Sequence, residues 1–278
     1  MIIPPATPAR PDVLTLIGPD YDRPSVQPAN RTLIICAAPR TGSHELDRYL
    51  LAAGIGVPHE YFNPNYASRL GERWGFANNP LTPAELKRYI QALRCRRAQN
   101  GVFATKLQFP QFDRTLRNEH GRQLFEGATV VHLFRPDAAA QFTSYRSALE
   151  TGIWDFSNHQ TVPAVRRDSK DFVALFKQAL QALDSLMGQD AGFRCVFALL
   201  GIRPIFITMD ELFSDPHRTV RKIADALAVS IDHDGLNRAV EVSAPYDRDY
   251  AETIAGFRDQ LREVVFRGFE SPRARSGS

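Results

Sequence analysis

Residues 32–54, TLIICAAPRTGSHELDRYLLAAG, decide the fold. The run TLIICAA at 32–38 is continuous, apolar and rich in β-branched residues, as a strand covered on both faces should be. SHELDRYLLAAG then shows helical spacing through Leu46, Leu50 and Leu51 until Gly54 stops it. Between the two lies AAPRTGSH at 37–44, a tight loop of small residues. A loop that leaves a strand and opens a helix offers free backbone N–H groups and the positive end of the helix dipole, so its natural occupant is an anion. Thr41, Gly42 and Ser43 are small enough to let a phosphate reach the backbone, and Arg40 adds fixed charge with bidentate geometry.

Spacing separates the kinds of anion loop. A Walker A loop needs glycine five residues before Gly42 and lysine after it, but Ala37 and Ser43 stand there. The dinucleotide pattern G-x-G-x-x-G is also missing. A cysteine phosphatase built on Cys36 would need arginine at 42, which is glycine. What remains is a cradle for a differently decorated nucleotide.

Outward from this unit, strand and helix alternate. GVFATKLQF at 101–109 and ATVVHLFRP at 128–136 read as further strands, with Pro136 serving as the first helical residue of DAAAQFTSYRSALETG. KDFVALFKQALQALDSLMGQ places Phe172, Leu175, Phe176, Ala179, Leu180, Leu183 and Met187 on one stripe, a helix packed on a core. RPIFITMDELF supplies a fourth strand near 203–209, and SDPHRTVRKIADALAV a helix with Ser214 as N-cap and Pro216 in its first turn. With no hairpin turn signal found, this order predicts an α/β fold, a mostly parallel sheet covered by helices on both faces. Ligands of such sheets sit at the carboxyl ends of the strands.

Bulk properties set the limits. The chain has 278 residues, 44% of them hydrophobic, enough for one large domain. Its 34 basic and 31 acidic residues give a net charge of +3, so no basic arm argues for nucleic acid. Cys36, Cys95 and Cys195 are too scattered for a disulfide framework or a zinc site and read as small core residues in a reducing compartment. No metal is expected. Neither a signal peptide nor an apolar run of about 18 residues is found, so a cytoplasmic protein without a transmembrane segment is expected. Residues 1–31 hold seven of the 19 prolines and read as a loosely ordered leader, 32–268 as the single domain, and 269–278 as a flexible tail.

CAAPRTGSHELDRYLLAAGIGVPHEYFNP resembles the 5′-phosphosulfate loop and following acidic motif of the bacterial trehalose 2-sulfotransferase type of carbohydrate sulfotransferase, related to nodulation-factor and lipopolysaccharide sulfotransferases. The likeness recurs in order through GVFATKLQF, HLFRPDAAAQFTSYRSALETGIW and ITMDELFSDPHRTVRKIADALAV, covering about residues 32–230. It implies the sulfotransferase fold, a P-loop-like three-layer α/β/α arrangement. It also implies 3′-phosphoadenosine 5′-phosphosulfate (PAPS) as co-substrate, a carbohydrate or glycolipid acceptor, and a homodimer.

The resemblance assigns roles that residue chemistry leaves open. Pro39, Arg40, Thr41, Gly42, Ser43 and His44 form the 5′-phosphosulfate cradle. Arg135 and Ser144 hold the 3′-phosphate, although by themselves they read equally as a surface arginine and a helix-face serine. Glu60 matches the proposed base that takes the acceptor proton; its neighbours Tyr61 and Phe62 are expected to tether and desolvate it, raising its pKa. Histidine titrates near neutrality, so His59 is the rival base. Lys106 is expected to neutralise the transferring sulfuryl group or the leaving phosphate. Tyr61, Phe62 and Trp154 are candidate acceptor contacts, with Trp154 in WDFSNHQTVPAVRRD at 154–168. Two departures stand out. His44 replaces a hydroxyl residue and trades a neutral phosphate contact for a charged one, and Met209 replaces a tyrosine. The alternatives are a protein that binds PAP or PAPS without transfer and a P-loop-like kinase using ATP.

Overall fold

A computed structural model describes residues 13–23, 27–151, 172–242 and 259. The helices are α1 (Val13–Leu16), α2 (Ser43–Ala52), α3 (Pro64–Arg73), α4 (Leu86–Arg96), α5 (Phe109–Arg117), α6 (Glu119–Gln123), α7 (Ala138–Thr151), α8 (Phe172–Leu200), α9 (Met209–Ser214), α10 (Pro216–Leu227) and α11 (His233–Glu241). The strands are β1 (Arg31–Ala37), β2 (Ala98–Gln99), β3 (Val102–Leu107), β4 (Thr129–Phe134) and β5 (Ile205–Thr208). They lie in the order β2-β3-β1-β4-β5, and β3, β1, β4 and β5 run parallel.

β1 is the middle strand and is buried on both faces, as its unbroken apolar run requires. Leu33, Ile35 and Ala37 enter a core shared with α2, α10 and α11, whereas Ile34 and Cys36 enter a second core shared with α3, α4, α5 and α8. Helices therefore cover both faces, giving three α/β/α layers. The chain runs from β1 outward to β3 and then returns to β4 on the other side. Such a reversal of strand order, here at the carboxyl end of β1, is where open α/β sheets bind their ligands. Register sets Ile35 beside Lys106 and Ala37 beside Leu133, so the ends of β1, β3 and β4 meet there.

Several local expectations need correction. β2 pairs antiparallel with β3 through Asn100–Gly101, whose φ values of 52° and 72° make a tight turn. This Asn-Gly step is the hairpin signal that the strand count overlooked. α7 starts at Ala138 and not at Pro136, capped by Asp137, whose Oδ1 accepts the Ala140 N–H at 3.0 Å. Likewise Asp215 caps α10 through the Arg218 N–H at 2.8 Å, and Ser214 instead closes α9. Met187, placed on the core stripe of α8, is 48% exposed. The packed face of that helix runs through Leu186, Phe193 and Phe197, because its later turns meet the aromatic rings of α5.

The described part of the proline-rich leader is tethered rather than loose. Leu16, Ile17 and Tyr21 are buried. Arg97, fully buried, donates to the carbonyls of Leu16, Ile17 and Gly18 and pairs with Asp22 at 2.9 Å. Residues 154–168, Trp154 among them, and the tail 269–278 lie outside the described residues.

Candidate active site

The cradle is built by backbone shape. Arg40 and Gly42 both take left-handed φ, 67° and 85°, so the loop turns sharply between β1 and α2. No side chain caps α2, and its Glu45 N–H turns back to Gly42 O at 3.0 Å. Gly42 answers to a second constraint as well, since a Cβ there would lie 3.0 Å from the Phe213 ring and 3.4 Å from Met209 Cγ. Met209 thus packs under the loop where the resemblance has a tyrosine. Thr41 donates its hydroxyl to Ala38 O at 3.0 Å, so it closes the loop and offers an anion only its backbone.

α7 locks onto this cradle. Gln141 Nε2 donates to Pro39 O at 2.8 Å, and Arg40 Nε donates to Ser144 Oγ at 2.8 Å. Arg135, at the end of β4, is buried, as is Ser144. The residues expected to hold the two ends of the nucleotide, Arg40 and Ser144, are therefore in direct contact.

A charged cluster stands beside the cradle. The Lys106 side chain is 2% exposed, with Nζ 2.7 Å from Asp47 Oδ2, 3.3 Å from His44 Nδ1 and 3.7 Å from Glu60 Oε1. Burial opposes the lysine charge, but Asp47 and Glu60 hold its pKa above the ordinary value. Burial and the Lys106 charge together push His44 well below the usual imidazole range, so the ring is neutral and its Nδ1 accepts from the ammonium. The expected charged anion contact from His44 is thereby corrected.

Glu60 is held by amides. Its Oε2 accepts from Gln111 Nε2 at 3.1 Å and from Gln108 Nε2 and Asn63 Nδ2 at 3.3 Å each. Burial by itself raises this carboxyl, but the Lys106 charge and the hydrogen bonds from Gln111 and Asn63 outweigh it and bring the pKa down to about 2. The expected upward shift is thus reversed. The loop carrying Glu60 is clamped onto β3, because His59 O accepts the Lys106 N–H at 2.9 Å and the Thr105 hydroxyl at 3.2 Å. Gly56 permits this approach, since a Cβ there would stand 2.7 Å from Ala104 Cβ.

The other expected residues fall at different depths. His59, 2% exposed, packs its ring edge-on to Tyr66 at 4.7 Å and near Tyr61 at 5.6 Å. Tyr61 is fully buried and gives its hydroxyl to Val57 O at 2.6 Å, so it anchors the loop rather than presenting a surface to an acceptor. Phe62, also buried, lines a cavity of about 340 Å³ together with Leu81, Leu86, Arg114 and Thr115. Asp47, Gln108 and Gln111 were not anticipated. The available signal for Asp47 was its place three residues after His44, on the same face of α2. Among the described residues, no group of three or more His, Cys, Asp or Glu side chains is arranged to hold a metal ion.

Residues 32–253 match the family described as Stf0 sulphotransferase. The chain belongs to the Stf0 sulphotransferase family. It is an enzyme that transfers a sulfuryl group, which removes the kinase alternative. Curated relatives of this sulfotransferase include trehalose 2-sulfotransferase of Mycobacterium tuberculosis (strain ATCC 35801 / TMC 107 / Erdman), 27% identical over 72% of this chain and 85% of that protein. Trehalose 2-sulfotransferase of Mycolicibacterium smegmatis (strain ATCC 700084 / mc(2)155) is 26% identical over 70% of this chain and 83% of that protein. Among solved structures, the sulfotransferase domain from the Synechococcus PCC 7002 olefin synthase aligns with a TM-score of 0.43 at 16% identity, covering 86% of this chain and 98% of that one. No helix among the described residues is long and apolar enough to cross a membrane.

Proposed function

We propose that this sulfotransferase takes its sulfuryl group from PAPS and delivers it to a hydroxyl of trehalose or a related carbohydrate or glycolipid, leaving PAP. The observation that carries the reading is the 2.8 Å bond between Arg40 and Ser144, which draws the two expected anion sites into one surface beside Lys106 and Glu60. The names of the curated relatives supply the acceptor class.

Each residue then has a task. The N–H groups of 40–44 and the Arg40 guanidinium bind the 5′-phosphosulfate, and Arg135 with Ser144 holds the 3′-phosphate. Lys106 stabilises negative charge shared between the sulfuryl oxygens and the departing phosphate. The acceptor oxygen bonds to sulfur as the sulfur–oxygen bond to the phosphate breaks, and Glu60 receives the hydroxyl proton. A carboxylate held near pKa 2 is a weak base, so it takes the proton late, once bonding to sulfur has made the hydroxyl strongly acidic. The buried His59 ring is the second choice for this role. Action in the cytoplasm and assembly as a homodimer belong to the same reading.

The deciding experiment incubates the protein with radiolabelled PAPS and trehalose, a panel of other sugars, and cell-envelope glycolipids. Sulfated trehalose or sulfated glycolipid together with released PAP is expected. Absence of PAP binding by calorimetry would overturn the donor assignment, while transfer to noncarbohydrate hydroxyls alone would overturn the acceptor assignment.

A further inference from the structure

We propose that Asp47 is a positioning residue, which with the His44 ring seats the Lys106 ammonium so that its remaining N–H is kept for the transfer site next to Glu60. His44 and Asp47 are three residues apart in α2 and share the face that meets β3. An ammonium has three donors. Asp47 Oδ2 at 2.7 Å and His44 Nδ1 at 3.3 Å take two of them, whereas Glu60 Oε1 at 3.7 Å stands just outside hydrogen-bond range.

A buried carboxylate is costly unless its charge is needed, and Asp47 is buried with Oδ1 lacking any hydrogen-bond partner. A residue kept only for packing would not leave that oxygen bare. The consequence of removing it follows from charge. Without Asp47, Glu60 becomes the sole carboxylate beside Lys106. The ammonium then closes the present gap, ties up the oxygen that has to receive the acceptor proton, and withdraws its free N–H from the sulfuryl oxygens. Asp47 therefore competes with Glu60 for the lysine and keeps both groups available. Besides His44 and Asp47 on α2 and Glu60 on the loop that follows it, Tyr66 of α3 also bears electrostatically on the ammonium.

This inference rests on the transfer roles given above to Glu60 and Lys106, so its test includes one arm without turnover. In the kinetic arm, Asp47→Asn lowers kcat about tenfold while PAP affinity stays within about twofold, because the lost contribution is orientation at the reacting centre. Combined with Lys106→Met, it lowers kcat no further than Lys106→Met by itself, as residues acting through one another do. Effects that multiply would overturn the proposal. In the second arm, crystal structures of the native protein and of two variants are compared. Lys106 Nζ, 3.7 Å from Glu60 Oε1 in the native protein, moves within hydrogen-bond range of that oxygen in Asp47→Asn and stays apart from it in Asp47→Glu, which also serves if the asparagine variant is unstable. An unchanged separation in Asp47→Asn overturns the proposal. A closed gap in a protein with no turnover would instead sink the transfer reading and leave the Asp47–Lys106 assignment standing.

Discussion

Glu60 is an anion surrounded by donors. Because its folded pKa of about 2 lies below the roughly 4.3 of an unfolded glutamate, its ionisation stabilises the fold above about pH 4.3, and that contribution is lost as pH falls toward 2. Glu60→Gln is therefore expected to lower Tm relative to the native protein at pH 7, with the gap narrowing between about pH 4 and pH 2 in thermal scans. The same variant should leave PAP affinity within about twofold in calorimetric titration while cutting kcat by about a hundredfold or more. Undiminished turnover would move the proton to His59 or elsewhere. At this scale the sequence was only partly legible. Glu60 and Lys106 could be picked out by resemblance, but the sign of the Glu60 shift depends chiefly on Lys106, with help from Gln111. These residues lie 46 and 51 positions along the chain from Glu60. Asp47 stayed hidden because an aspartate within HELDRYL reads as an ordinary solvated helix residue until β3 is laid against it.

Elements announce themselves when their signals are local. β1, β3 and β4 were visible as apolar runs, and α2 from its leucine spacing, because backbone pairing and periodic burial leave a mark within a few residues. The ends of elements were harder to place, since serine, aspartate and proline near a helix start all fit the same rules. Asp215→Ala is expected to cost about 1 kcal/mol in urea denaturation through loss of its cap on the Arg218 N–H, whereas Ser214→Ala stays within about 0.5 kcal/mol. The reverse ranking would restore Ser214 as the cap. At α8 the apolar stripe was misplaced at Met187, because a helix of 29 residues changes neighbours along its length and its packed residues Phe193 and Phe197 meet the rings of α5.

For the whole molecule, the described N-terminal residues 13–22 are part of the fold. Fully buried Arg97 binds three carbonyls of residues 16–18 and the carboxylate of Asp22, so truncating it strands those carbonyl acceptors and leaves half-buried Asp22 to Arg73 and Trp74. Arg97→Ala is expected to lose about 3 kcal/mol of stability and to open the chain N-terminal to β1 to limited proteolysis. Resistance equal to the native protein would show that residues 13–22 need no such anchor. The sequence by itself determined the layer order and the family, because these rest on local periodicity and on ordered motifs along one chain. Only the tertiary structure decided that Arg40 reaches Ser144, that Asp47 shares Lys106 with Glu60, and that residues 16–18 and Asp22 are pinned by Arg97. Each of these contacts joins residues remote in sequence, and their charges take on their final character only where the fold excludes water around them.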